Sequence, residues 1–401
     1  MTTPQLIALT EYQTKTLAQT TFPETAARLL HQYYSQQVAL KPPSFMNNHH
    51  WELTAQGWVG HLSLTSEVAL ILQPKVPLGN LFRMLEYAYS LESFRLLEGL
   101  IDSQSLIELY ERLAHILAQR ILERGRRGLY RAFLSRQERL PYLRGRLNVR
   151  QTVQAPGQVK LACGYEEQTA DIEDNQILAW TLFRIARSGL PLERSLPTVQ
   201  KAYRLLQGTV TLTDYPAEAC LGRHYNRLSE DYQPLHALCH FFLDHSGPSH
   251  QMGRRRMIPF LVSMERLFEK FVAEWLVAHL PPHLKLQAQE KIDIDTEGKL
   301  SFRADLVIYE VATGLPLWVL DTKYKAADVP ATEDISQVTA YAAFKRCPEA
   351  ILIYPSPLRR PLDTRRDTIR VRSLTFALDD DLETAGQQFL QTLLEQPVIS
   401  Y

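Results

Sequence analysis

Asp305, Asp321 and Lys323 are the side chains whose types and spacing point to chemistry. They lie in SFRADLVIYEVATGLPLWVLDTKYK, residues 301–325, which reads as two strands joined by a short turn that holds Gly314. Side chains alternate along a strand, so Asp321 and Lys323 share one face while Leu320 and Thr322 take the other. If the hairpin pairs symmetrically about Thr313, Asp305 stands opposite Asp321, with Cβ atoms about 4.5–5.5 Å apart. Carboxylates that close repel each other, and a divalent cation relieves the repulsion. Oxygen donors with no Cys or His nearby favour Mg²⁺, with Mn²⁺ as a substitute, over Zn²⁺. Lys323 would then orient or help deprotonate the attacking water. The competing explanation for these three residues is an ordinary ion pair at a solvated hairpin end.

Other residues are expected around this centre. A helix from Met257 to Leu280 carries Glu269 within an otherwise apolar stripe, where a carboxylate needs a partner. That partner is the metal site or Lys323, or alternatively Arg266 or Lys270. Strands are expected at 285–294 and 300–309, and a helix at 334–345 presents Gln337 and Tyr341 on one face at i,i+4. A buried strand at 350–355, another near 368–374 and a helix at 382–394 complete an α/β unit.

The rest of the chain positions or supports that unit. At 401 residues it is long enough for two or three domains. Ordinary hydrophobic and charged content and no apolar run long enough for a membrane span indicate a soluble globular protein, and four cysteines with no disulfide spacing fit a reducing cytoplasm. Cys163, Cys220, Cys239 and Cys347 show neither metal nor disulfide spacing. Charge is nevertheless uneven: nine arginines against Glu138 alone lie between Arg124 and Arg150. Arg124, Arg126, Arg127, Arg144 and Arg146 are therefore candidates for phosphate-backbone contact, or else a solvated face or partner interface. Further clusters stand at Arg254–Arg256 and at Arg359, Arg360, Arg365 and Arg366. His236 and His240 share a helical face but lack a third ligand, so a metal role is not expected there. Residues 143–153 read as a strand, and Ser246–Gly253 as a linker.

An Asp on one strand followed by Asp-x-Lys on the next, with Gln-x-x-x-Tyr on the following helix, resembles the PD-(D/E)xK nucleases and their RecB-like branch. In their order, QPKVPLGNLFRMLEYAYSL, LRGRLNVRQTV, CGYEEQTADIEDNQIL, SMERLFEKFV, DTKYK, DISQVTAYAAF and LIYP resemble the McrC family, the nuclease subunits of McrBC 5-methylcytosine-dependent restriction systems. That resemblance implies a multidomain α/β and α+β chain. Its parts would be a β-rich partner-docking region at 1–77, a mostly helical region at 78–250 and a PD-(D/E)xK nuclease domain at 254–401. It further implies metal ligands at Asp305 and Asp321, a catalytic Lys323, and supporting roles for Glu269, Gln337 and Tyr341. The implied partners are double-stranded, methylated DNA and a hexameric McrB-like AAA+ GTPase, with no membrane. No G-x-x-x-x-G-K-[ST] phosphate loop occurs in the chain, so nucleotide hydrolysis would belong to that partner. Ala304 stands where the motif's name has proline. Two other functions fit the same features: a non-catalytic activator of the AAA+ partner, and a stand-alone nuclease. The hairpin at Gly57–Val68 is expected to dock on the ring.

Overall fold

A computed structural model describes residues 4–91, 105–154, 160–188, 190, 192–247, 250–252, 255–257, 259–293, 301–325, 327–366 and 368–395. In chain order the N-terminal part holds β1 (Gln5–Thr10), β2 (Thr14–Leu17), α1 (Glu24–Tyr34), β3 (Val38–Lys41), β4 (Trp51–Ala55), β5 (Trp58–Ser63), β6 (Val68–Gln73) and α2 (Leu78–Ala88). The middle part holds α3 (Leu106–Arg127), β7 (Ala132–Leu140), β8 (Arg146–Leu147), α4 (Val149–Val153), β9 (Leu161–Thr169), α5 (Glu173–Ile185), α6 (Leu196–Gln207) and α7 (Tyr232–Asp244). There follow β10 (His250–Met252), β11 (Arg255–Met257), β12 (Phe260–Ser263), α8 (Met264–His279), β13 (Leu284–Asp293), β14 (Ser301–Glu310), β15 (Pro316–Thr322), α9 (Thr332–Lys345), β16 (Glu349–Tyr354), β17 (Asp363–Arg366), β18 (Ile369–Thr375) and α10 (Leu382–Leu394). Residues 248, 249 and 253 of the expected linker, Arg254, and the strand ends Ile294 and Leu300 lie outside the described residues.

The C-terminal sheet runs β13-β14-β15-β16-β18-β17. β13, β14 and β15 are antiparallel neighbours, whereas β15–β16 and β16–β18 are parallel. A parallel neighbour needs a crossover, and α9 supplies it between β15 and β16. Every residue of β16 is buried, as suits an apolar run in the middle of a covered sheet. Val307, Val319, Ala350 and Leu352 meet Val338, Tyr341 and Ala342 of α9 in one core. Elsewhere in the same unit α8 and α10 pack through aromatic rings, with Phe376 5.0 Å from Phe271 and 5.2 Å from Phe389.

Residues 1–107 and 247–401 form one compact unit, and 108–246 form a second. This division cuts across the three regions expected from the sequence, because the short apolar strand β12 pairs antiparallel with β5 and so joins the N-terminal sheet β1-β6-β5-β12. Residues 260–263, expected to be helical, are therefore strand. The helix begins only after Ser263, whose Oγ accepts from Arg266 N. Likewise 143–153 is not one strand: Asn148 caps α4 by accepting from Gln151 N at 3.1 Å, which ends β8 after two residues. The first strand of the expected docking hairpin, β5, lies inside the sheet with Val59 to Leu62 buried.

Gly60 makes the β5–β12 junction possible. Its φ is +143°, and a Cβ there would fall 2.1 Å from the carbonyl oxygen of Phe260. Gly60→Ala is expected to destabilise the unit by about 2–3 kcal/mol, read as an earlier urea midpoint, while Gly208→Ala in the other unit, where φ is negative and a Cβ would meet nothing within 4 Å, leaves that midpoint unmoved.

Candidate active site

The site begins with register. Leu306 pairs with Leu320 and Val307 with Val319, so the next position along brings Asp305 opposite Asp321, the pairing the hairpin reading anticipated. Both carboxylates thereby point to the face that carries Val307, Val319 and α9. The turn itself is not symmetric, since a bulge follows Ile308 and Tyr309 pairs with Pro316.

Each carboxylate is held differently. Asp305 Oδ2 accepts from Thr322 N at 3.0 Å and from Thr322 Oγ1 at 3.2 Å. Asp321 is 1% exposed, and its Oδ2 lies 2.6 Å from Lys323 Nζ, an ion pair without the angle of a hydrogen bond. Burial first, and then the Asp305 charge, push Asp321 up to about 6, against the pull of Lys323. Burial draws the Lys323 ammonium down, but Asp321, Asp334 and Asp305 more than offset it, so its net shift is upward. At neutral pH Lys323 is therefore a cation, suited to orienting groups and stabilising negative charge rather than to removing a proton.

The helices complete the arrangement. Lys323 Nζ reaches Gln337 Oε1 at 3.4 Å, and Gln337 Nε2 donates to Tyr341 Oη at 2.7 Å, so the expected i,i+4 pair forms one chain with the lysine. Glu269 on α8 takes its hydrogen bond from Gln289 Nε2. Burial, then the Asp305 charge, push Glu269 up to about 7, with a smaller push from Asp321, which puts it within electrostatic reach of both.

Two contributors were missed from the sequence. Gln289 stands where the β13–β14 ladder skips a pair opposite Asp305, with φ at +51°, a conformation non-glycine residues seldom adopt. Asp334, buried in the first turn of α9, pairs with Lys325 Nζ at 2.5 Å and adds to the negative field on Asp321. Its position one helical turn before Gln337 was the available hint.

A divalent cation is the natural partner of such a donor set. The two carboxylates on neighbouring strands fit it: one is buried, and its ionised form is disfavoured without a countercharge. Among the described residues no three His, Cys, Asp or Glu side chains form a ready cage.

The arginine-rich segment belongs to the other unit and is partly spent internally. Arg124 pairs with Asp231 at 3.2 Å, and Arg144 pairs with Glu167 at 3.2 Å while stacking 3.9 Å from the Tyr165 ring centre. Arg126, Arg127 and Arg146 are exposed. His236 is no ligand: Tyr225 Oη lies 2.9 Å from Nδ1, and Asp174 O lies 3.1 Å from Nε2. No helix among the described residues is long and apolar enough to cross a membrane.

Residues 53–355 match the family described as McrBC 5-methylcytosine restriction system component. A curated relative, the type IV methyl-directed restriction enzyme EcoKMcrBC of Escherichia coli K12, is 24% identical over 216 residues, 51% of this chain and 59% of that protein. The match thus spans about three fifths of the relative's length. A chain of the refined half-complex from a tetradecameric assembly of Thermococcus gammatolerans McrB AAA+ hexamers with bound McrC superposes at TM-score 0.56 and 19% identity, over 97% of this chain and 99% of that one. The likeness is one of fold. A chain of the Thermococcus gammatolerans McrBC complex gives TM-score 0.44 at 20% identity over 69% and 88% of the two chains.

Glu269 yields a pH prediction. Its folded pKa is above its ordinary value of 4.5, so the folded state disfavours the ionised form, and stability is lost as pH rises from 4.5 through about 7. Without divalent cation, Glu269→Gln should melt at a higher temperature than the unchanged chain at pH 8, and the difference should vanish at pH 4.

Proposed function

The chain belongs to the family of McrBC 5-methylcytosine restriction system components, and from that premise we propose that it is the subunit that cuts DNA: a Mg²⁺-dependent endodeoxyribonuclease with Asp305 and Asp321 as its metal ligands. The observation that carries this reading is the hairpin register that sets Asp305 opposite Asp321, with Lys323 Nζ 2.6 Å from the latter. The six-stranded sheet with α8 and α9 is then the PD-(D/E)xK core. A divalent cation bound there would neutralise charge on the scissile phosphate and lower the pKa of the attacking water.

The chain's own side chains supply the rest. Thr322 fixes Asp305, so its carboxylate arrives without reorganisation. Lys323 holds Asp321 in the absence of substrate and is placed to stabilise the charge that develops as water attacks phosphorus and the ester oxygen departs. Gln337, itself held by Tyr341, steadies the lysine. Glu269, raised to about 7, would lose its proton when a cation arrives, and so assists binding most as pH rises through that value.

The substrate on this reading is double-stranded DNA carrying 5-methylcytosine, and the partner is a hexameric McrB-like AAA+ GTPase that supplies nucleotide hydrolysis. The solved relative assembled from McrB hexamers with bound McrC supports that partner. Of the five candidate arginines, Arg126, Arg127 and Arg146 are the exposed ones, available for phosphate or partner contact.

Cleavage of methylated plasmid in Mg²⁺ by the unchanged chain and by Asp321→Ala, each with and without the cognate GTPase and GTP, tests the proposal. Cutting should need partner, GTP and Asp321, with the variant slower by about 10²–10³-fold or more. Cutting without the partner would favour a stand-alone nuclease. Stimulated GTP hydrolysis with no Asp321-dependent cutting would leave an activator.

A further inference from the structure

Lys323 lies just past the end of β15, yet its backbone is pinned. Its N–H donates to Ile353 O at 2.8 Å, and its carbonyl accepts from Lys325 N at 2.9 Å. The next residue, Tyr324, turns inward and is 9% exposed, with its ring 6.0 Å from that of Phe268, the residue before Glu269. Tyr324 Oη then donates at 3.2 Å to Oε2 of Glu11, which is fully buried and 313 residues away.

Glu11 is itself fixed from several sides. Its N–H donates to Gln73 O at 3.0 Å, it bridges to Ala55, and its Oε2 also accepts from Lys75 N at 3.0 Å. Its Oε1 is buried without a hydrogen-bond partner. A buried carboxylate costs stability unless it is well paired, and neither β1 nor β6 needs one there for sheet pairing. Glu11 Oε2 thus ties together two segments, the backbone at Lys75 and the hydroxyl of the residue beside the site lysine.

We propose that Glu11 and Tyr324 form a positioning clamp that sets the aim of Lys323 toward Asp321, so that the site is completed by a residue of the N-terminal sheet; this rests on the nuclease reading above. Neither residue touches the reacting atoms. Lys325, paired with Asp334, secures the other side of the same loop.

The test uses the full chain and reads Lys323 directly. Acylation by an amine-reactive ester at one fixed pH, followed by mass spectrometry, gives the labelling rate of Lys323 relative to the exposed Lys41. Tyr324→Phe keeps the ring on Phe268 and removes only the hydroxyl. It should speed Lys323 labelling about fivefold, the equivalent of one hydrogen bond, and lower kcat for cleavage with partner and GTP while KM for DNA is unchanged. Glu11→Gln retains an acceptor and should restore the ordinary labelling rate, whereas Glu11→Ala should not. Unchanged labelling in Tyr324→Phe, whatever happens to its melting temperature, would overturn the clamp. Faster labelling in a chain that never cleaves DNA would support the clamp and count against the nuclease reading instead.

Discussion

Two carboxylates face each other across the β14–β15 hairpin, and holding them together against their repulsion is the constraint on which the site depends. Asp305 and Asp321 would separate if the chain allowed it. They are kept together by the pairing of Leu306 with Leu320 and of Val307 with Val319, which the core beneath α9 locks in place. A slip of β15 by one residue against β14 would turn Asp321 to the face opposite Asp305, so the same apolar residues that build the core also fix the site. Burial first, and then the Asp305 charge, disfavour the ionised forms of Asp321 and Glu269, and a divalent cation would offset both.

Around this centre the fold divides its labour. β14 and β15 present the carboxylates, α9 brings Gln337, Tyr341 and Asp334, and α8 brings Glu269 from a helix anchored by aromatic packing. The N-terminal sheet contributes more than a neighbouring layer. β12 threads into it beside Gly60, Asn80 Nδ2 donates to the carbonyls of Leu378 and Asp380, and Glu11 reaches Tyr324. A segment near the start of the chain thus supports a loop some three hundred residues later.

Much of the centre was legible in the sequence because it depends on local spacing. Period-two alternation and a central turn gave the Asp305–Asp321 register, and i,i+4 spacing gave the Gln337–Tyr341 pair. What was not legible depends on long-range packing. Gln289 acts through a skipped pair and a left-handed backbone that its residue type does not announce. The Glu11–Tyr324 contact joins positions that no periodicity links. Residues 260–263 carry the apolar pattern of the helix after them, and only the Ser263 cap and the pairing with β5 reveal a strand. The arginine run was conspicuous as composition, but its members differ in use: Arg124 and Arg144 are committed to Asp231 and Glu167.

If Asp305 and Asp321 together make a cation site, Mn²⁺ binding to the full chain, followed by electron paramagnetic resonance without DNA or partner, will report it. One bound ion is expected, lost in both Asp305→Ala and Asp321→Ala and retained in Gln337→Ala. Binding that survives either aspartate substitution would contradict it.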